Sequence, residues 1–158
     1  MRLAALAAAA LLSACATAKS ETKTEAATTA TAAPAADSKP KSLYDRLGGA
    51  PAVEAVVDSL LKKALTDERI NYTWAGSHLP RVRQRLIELV CAGSGGGCKY
   101  TGRDMATAHK GIGISGDQFG ILVGHLVATL DEFKVPPKEK GELLAVLGPM
   151  KGAIVEER

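Results

Sequence analysis

The chain has 158 residues, of which 46% are hydrophobic but only 4% aromatic, and 23% are charged. Its formal net charge is +3, one unit of it from Arg2. That near-balance lacks the basic excess a polyanion-binding surface needs, so nucleic acid is not expected as a partner. The segment from residue 42 onward has the length of one small domain, in which a bound cofactor would make up a real share of the core.

Arg2 is followed by ten residues, 3 to 12, that are all Leu or Ala. Leu12-Ser13-Ala14-Cys15 then has the form of a bacterial lipoprotein processing site. On this reading residues 1–15 are a signal peptide and Cys15 becomes the lipidated first residue. The protein is then expected to be exported and lipid-anchored to a bacterial membrane, on the periplasmic or extracellular side. A plain secretory signal with a chance cysteine is the alternative. A spanning helix is disfavoured, because it needs about 20 apolar residues. Each buried lipid methylene is worth roughly 0.8 kcal/mol, and stable anchoring takes more than one acyl chain. Residues 16–41 hold Ala, Thr, Lys, Glu and two prolines, with no aromatic residue and no aliphatic one larger than Ala. Such a segment cannot offset its ordering entropy and reads as a flexible tether to a domain at 42–158.

The domain reads as all-α. Ser42 with Asp45 forms a capping box that opens a short helix, which Gly48-Gly49 ends. Pro51 fits a first helical position, and Val53, Val56-Val57, Leu60-Leu61 and Ala64-Leu65 recur at steps of three and four. One or two further turns are expected between Asp67 and Trp74. Pro80 fits another helix start, after which Val82, Leu86, Leu89 and Val90 share a face up to Gly93. Arg81, Arg83 and Arg85 in that helix read as a solvated face. Ser115 with Gln118 makes a second capping box. It opens a long stripe of Phe119, Leu122-Val123, Leu126-Val127, Leu130 and Phe133, stopped by Pro136-Pro137. Leu143-Leu144, Val146-Leu147, Met150 and Ile154 build a last helix, bent at Gly148-Pro149. No useful stretch alternates with period two, so no sheet is expected.

Cys91 and Cys98 flank a loop that contains Gly93, Ser94, Gly95, Gly96 and Gly97. The loop lacks the lysine and the following Ser/Thr of a nucleotide loop. In an exported protein a disulfide is the default reading, worth roughly 2.5 kcal/mol by loop closure. A catalytic pair is disfavoured by the spacing, and free or metal-bound thiols stay open.

The chain has three histidines, His78, His109 and His125, and no pair has zinc-site spacing. No Ser-His-Asp or His-x-x-x-His pattern is present either. His109 falls on a very short helix behind the glycine-rich loop, with Met105 four residues earlier on the same face. It reads as a metal ligand, a general base or a packed core residue. A single imidazole suffices as a ligand where a cofactor supplies the rest of the set, as haem does.

The run Leu43-Tyr44-Asp45-Arg46-Leu47-Gly48-Gly49, followed by Val53, Val56 and Val57, resembles the start of the group 1 truncated haemoglobins. Tyr100, Gly102, Met105 and His109 resemble that family's approach to its proximal helix. Gly113-Ile114, Phe119, His125-Leu126 and Thr129-Leu130 resemble the family's pattern beyond that helix. The resemblance runs from Tyr44 to about Ile154. It implies a two-over-two helical sandwich that holds haem b, with His109 as the proximal iron ligand. Met105 is read as filling a gap against the cofactor rather than as a ligand, His125 as a packing or helix-contact residue, and His78 as a minor candidate for a sixth ligand.

The resemblance also marks departures. Leu60-Leu61 stand where the family commonly has Phe-Tyr, and Val82 and Leu86 where a Gln or another polar residue is frequent. Trp74 takes the place of a haem-packing phenylalanine, Arg85 is placed to pair with a haem propionate, and the cysteine pair is outside the common pattern. The implied distal pocket is apolar. The implied function is reversible binding of O2, NO or CO at the iron, with simple oxygen storage disfavoured and an electron-donating reductase as a further partner. The competing expectations are a haem enzyme, such as an NO dioxygenase or a peroxidase-like protein, and a non-haem interaction lipoprotein. The enzyme reading is disfavoured because no distal acid–base group is evident.

Overall fold

The computed structural model describes residues 40–156. The expected signal peptide with Cys15, and residues 16–39 of the expected tether, lie outside the described residues. Ser42 caps the first helix, α1 (Leu43–Leu47): its hydroxyl accepts from the Asp45 N–H at 3.1 Å, while the Asp45 carboxylate accepts from the Ser42 N–H at 3.2 Å. The helix closes at Gly48, whose left-handed φ of 103° favours glycine, and a Cβ there would sit 2.9 Å from the Ala52 Cβ.

Helix α2 (Gly49–Thr66) starts without an intervening loop. Pro51 is therefore its third residue, not its first. It is tolerated because N–H groups in the first turn have no intrahelical acceptor. Val53, Val56, Val57, Leu60, Leu61 and Ala64 are buried along one face. A 3-10 turn at Asn71–Trp74 follows, then α3 (Leu79–Gly93), capped by His78, whose Nδ1 accepts from the Arg81 N–H at 3.2 Å. The stripe that α3 turns to the core is Val82, Leu86, Ile87 and Val90; Leu89 is rotated to its edge.

Helix α4 (Met105–His109) is five residues long, and α5 (Gly116–Glu132) opens with the Ser115–Gln118 capping box. Phe133 does not extend the α5 stripe. The helix ends at Glu132, Lys134 turns through φ 55°, and Phe133 is left 45% exposed. Helix α6 (Pro137–Leu147) passes into a 3-10 turn at Gly148–Met150 and then α7 (Lys151–Ile154), which is the bend expected at Gly148-Pro149. Pro149 brings no N–H to a continuous α-helix.

Helix α2 contacts both α3 and α5, and α6 contacts α1 and α3. The pair α2 and α3 thus lies over the pair α5 and α6, a two-on-two globin sandwich with no strand among the described residues. Leu43, Val53, Val57, Leu60, Leu61, Val90, Leu126, Leu130 and Leu143 form its core. Among the described residues no helix is long and apolar enough to cross a membrane.

Candidate functional site

Helix α4 is too short to be stable through its own hydrogen bonds. Four sets of contacts hold it and the segment before it in place. Asp104 caps it, accepting from the Thr107 N–H at 2.9 Å, and that bond holds the Asp104 carboxyl below its usual range. The Tyr100 ring folds over Gly102 so that its hydroxyl donates to the Arg103 carbonyl at 2.9 Å. A Cβ at Gly102 would run into the ring, which is why glycine stands there. Tyr100 thus shapes the approach to α4. Glu88, the single acid of α3, accepts from the Thr101 N–H at 3.0 Å and from its hydroxyl at 2.9 Å, tying α3 to this segment. Beyond α4, the Glu156 carboxylate binds backbone N–H groups at Gly111 and Gly113.

At the end of α4 the His109 Nδ1 lies 2.8 Å from the Met105 carbonyl. A carbonyl only accepts, so Nδ1 carries the proton, and the neutral ring keeps its lone pair on Nε2. A hydrogen bond to the second nitrogen that fixes the tautomer is what orients a metal-binding imidazole. Met105, by its backbone, serves His109. No group of three or more His, Cys, Asp or Glu among the described residues could hold a metal ion by itself. His109 also lines a groove of about 310 Å³ between α4 and α7, with Ala106, Thr107, Ala153, Ile154 and Glu156.

The other two histidines are committed elsewhere. His78 is an exposed helix cap. His125 Nε2 is 2.8 Å from Asp67 at the end of α2, a helix-to-helix contact of the kind expected of it. Asp67 also accepts from Arg69, and these bonds hold its carboxyl well below the usual carboxylate range.

Leu60 and Leu61 are buried, and Trp74, Val82 and Leu86 are packed against the same core cluster. The structure therefore joins the five expected distal residues in one apolar body. Tyr100, Met105 and His109 lie outside that cluster, on the separately held α4 segment. Arg85 is engaged within the chain: its guanidinium donates to Glu88 at 2.7 Å and also to the Thr101 hydroxyl. Arg83 reaches Asp58 and Glu54 on α2, so the basic run on α3 is partly paired rather than free in solvent.

Haem presents a flat apolar ring, two carboxylates and an iron that takes a neutral imidazole. The donor chemistry here fits it. His109 has the required tautomer, and Met105 on α4, Leu86 and Leu89 on α3, and Phe119, Leu122 and Val123 on α5 are half-buried apolar side chains. The Trp74 Nε1 is a buried donor with no acceptor among the described residues. Cys91 and Cys98 are joined, with their Cα atoms 5.7 Å apart; Cys91 is fully buried and Cys98 exposed.

Glu88, Asp104 and Glu156 do not stand out in the sequence. Asp104 is detectable as an Asx residue three positions before Thr107 at a helix start. Glu88 and Glu156 act on residues 13 and 45 positions away, and no local pattern announces that.

A family profile described as bacterial-like globin matches residues 42–156. The chain is 35% identical over 112 residues to a group 1 truncated haemoglobin of Mycolicibacterium paratuberculosis, covering 71% of this chain and 82% of that protein. It is 36% identical over 110 residues to one from Synechocystis, covering 67% and 89%. The truncated haemoglobin of Tetrahymena pyriformis in its Fe(III) form superposes with a TM-score of 0.70 at 26% identity, covering 74% of this chain and 100% of that one. The 2/2 haemoglobin of a Synechococcus species, solved in the cyanomet state with covalently attached haem, gives 0.69 at 28% identity, with the same coverage. The match spans every helix that builds the sandwich, and the chain belongs to the bacterial-like globin family, among the group 1 truncated haemoglobins.

Proposed function

We propose that this domain would hold haem b through His109, and that the bound haem would reversibly take up a diatomic ligand. The observation that carries the reading is the Nδ1 contact to the Met105 carbonyl, which leaves Nε2 as the metal-binding atom. When bound, haem supplies an iron that coordinates O2, NO or CO. Leu60, Leu61, Val82 and Leu86 contribute shape and exclude water. None of these four carries a hydrogen-bond donor; the Trp74 Nε1 in the same cluster is a buried donor without an acceptor among the described residues. A hydrogen-bond donor to a charged or polarised ligand would be worth about 1.5–3 kcal/mol, a factor of about 10 to 150 in affinity, and oxygen is the diatomic ligand that would gain most from one. CO and NO depend less on that bond. The aliphatic set therefore favours NO or CO binding over oxygen storage, and the Trp74 N–H is the donor that would reverse that preference.

The same apolar set offers no acid–base group for turnover, so a binding role is preferred to an enzymatic one, and an electron-donating reductase would serve to keep the iron ferrous. The reading includes export and lipidation at Cys15, on the strength of Leu12-Ser13-Ala14-Cys15 after an apolar ten-mer. An absorption spectrum of the purified protein with added haemin tests the haem reading. A Soret band that saturates at one equivalent is expected, and no band beyond that of free haemin would overturn it. Mass spectrometry of the membrane fraction is expected to find acylated Cys15.

A further inference from the structure

We infer that Glu156 is a positioning residue for His109, acting as a latch on the loop that follows it. This rests on the haem-binding reading. The Glu156 carboxylate accepts from the Gly111 N–H at 2.6 Å with one oxygen and from the Gly113 N–H at 2.8 Å with the other. Its own N–H donates to the Ile114 carbonyl at 2.9 Å. One residue thus makes three bonds to three of the four positions from Gly111 to Ile114, the first of them two residues from His109.

The loop cannot hold itself. Gly111 and Gly113 adopt φ of 80° and 73°, a left-handed conformation that only glycine enters at no steric cost. These two residues turn their N–H groups toward the same carboxylate. The remaining backbone tie to α4 is the Ile112 N–H donating to the His109 carbonyl at 3.1 Å. Among the described residues Lys110, which ends α4, makes no capping bond. The last turn of α4 therefore owes its position to Glu156 and to the contact between α4 and α7. Two charge-assisted bonds to one carboxylate are stronger than neutral ones and fix direction as well as distance. A shift of this loop would rotate the end of α4 and with it the imidazole plane.

The test uses the full chain with Glu156 unchanged, E156A and E156Q. Amide exchange at Gly111 and Gly113, measured without haem, reads the latch directly. E156A is expected to raise it by about tenfold, with E156Q in between because one carbonyl oxygen remains to accept. Resonance Raman of the ferrous haem-loaded proteins then reads the iron–histidine stretching band. E156A is expected to shift or broaden that band, and E156Q to do so less. Unchanged exchange, or raised exchange with an unmoved band, overturns the positioning role. If E156A fails to fold, E156Q decides by the same two readouts. A wild type that takes up no haem overturns the functional reading and the role of Glu156 together. A wild type that binds haem while E156A keeps its band overturns only the latter.

Discussion

The two halves of the proposed haem site are built by different means. Leu60, Leu61, Val82 and Leu86 sit on helices of 18 and 15 residues whose apolar faces form the core, so they are placed by burial. His109 sits on a helix of five residues, placed by Asp104, by Tyr100 over Gly102, by Glu88 on Thr101 and by Glu156 on the next loop. Burial is non-directional and tolerates changes of shape if volume is kept. Hydrogen bonds fix direction, and removing one partner leaves the other unsatisfied. The apolar side is therefore open to substitution, and the histidine side is held by a few directional contacts.

The largest expected effect is on the histidine side. His109→Ala should lose most bound haem or leave it without a protein ligand, while H78A and H125A keep it. Haem content and the ferrous absorption spectrum measure this. Retention of a normal five-coordinate histidine spectrum by H109A would move the ligand elsewhere.

The next effect is on the apolar side. Leu61→Tyr adds a hydroxyl to a position 7% exposed. Overpacking there is expected to lower stability by about 1–3 kcal/mol, and Leu61→Phe, with the same ring and no hydroxyl, controls for it. L61Y should release oxygen about 10 to 150 times more slowly than L61F. Equal rates, with slow release by the wild type, would mean that another donor reaches the pocket. Tyr72, a natural suspect, is 60% exposed with its hydroxyl against Gln118, and His78 is spent as a cap, so neither is expected to serve, which leaves the buried Trp74 Nε1 as the donor to test.

A smaller effect is expected at the disulfide. Cys91 lies at the end of α3, and the Cys98 side leads toward Tyr100 and α4. The enclosed loop also touches the start of the domain: the Tyr44 N–H donates to the Ser94 carbonyl at 2.9 Å, and a Cβ at Gly96 would meet the Tyr44 ring. C91S/C98S should lower stability by roughly 2.5 kcal/mol or less and weaken haem retention modestly, with the fold intact. Intact mass before and after reduction, with alkylation, establishes the bond in protein from its native compartment.

The same contrast explains what the sequence made legible. Helix caps at Ser42 and Ser115 and the stripe from Val53 to Ala64 are local patterns, and they foretold α1, α2 and α5. The error at Phe133 came from extending a stripe past a turn that Lys134 makes in the left-handed region, which composition does not signal. His109 stood out as a lone imidazole, but its supports did not. Glu88 and Glu156 look like ordinary surface acids until the fold brings Thr101, Gly111 and Gly113 to them. Thr129, named only as part of the resemblance, is fully buried on α5.

The smallest effect expected is also a pH dependence. Glu88 is held down to about 2, first by the Thr101 N–H and further by Gln84, the Thr101 hydroxyl and Arg85. Its ordinary value is 4.5. A carboxyl depressed on folding contributes stability that is fully present above its unfolded value and is lost as pH falls through its folded one. The link between α3 and the segment before α4 should therefore hold at neutral pH and fail between about pH 4.5 and 2. Glu88→Gln removes that titration and should flatten the acid limb of stability across that window, while lowering stability above it. Because Glu88 bonds Thr101 and makes no contact with the distal leucines, E88Q should loosen haem retention at the histidine side and leave the L61Y-to-L61F ratio of oxygen release unchanged. An equal loss on both counts would mean that the two sides are one cooperative unit, and that the division between burial and hydrogen bonding does not hold.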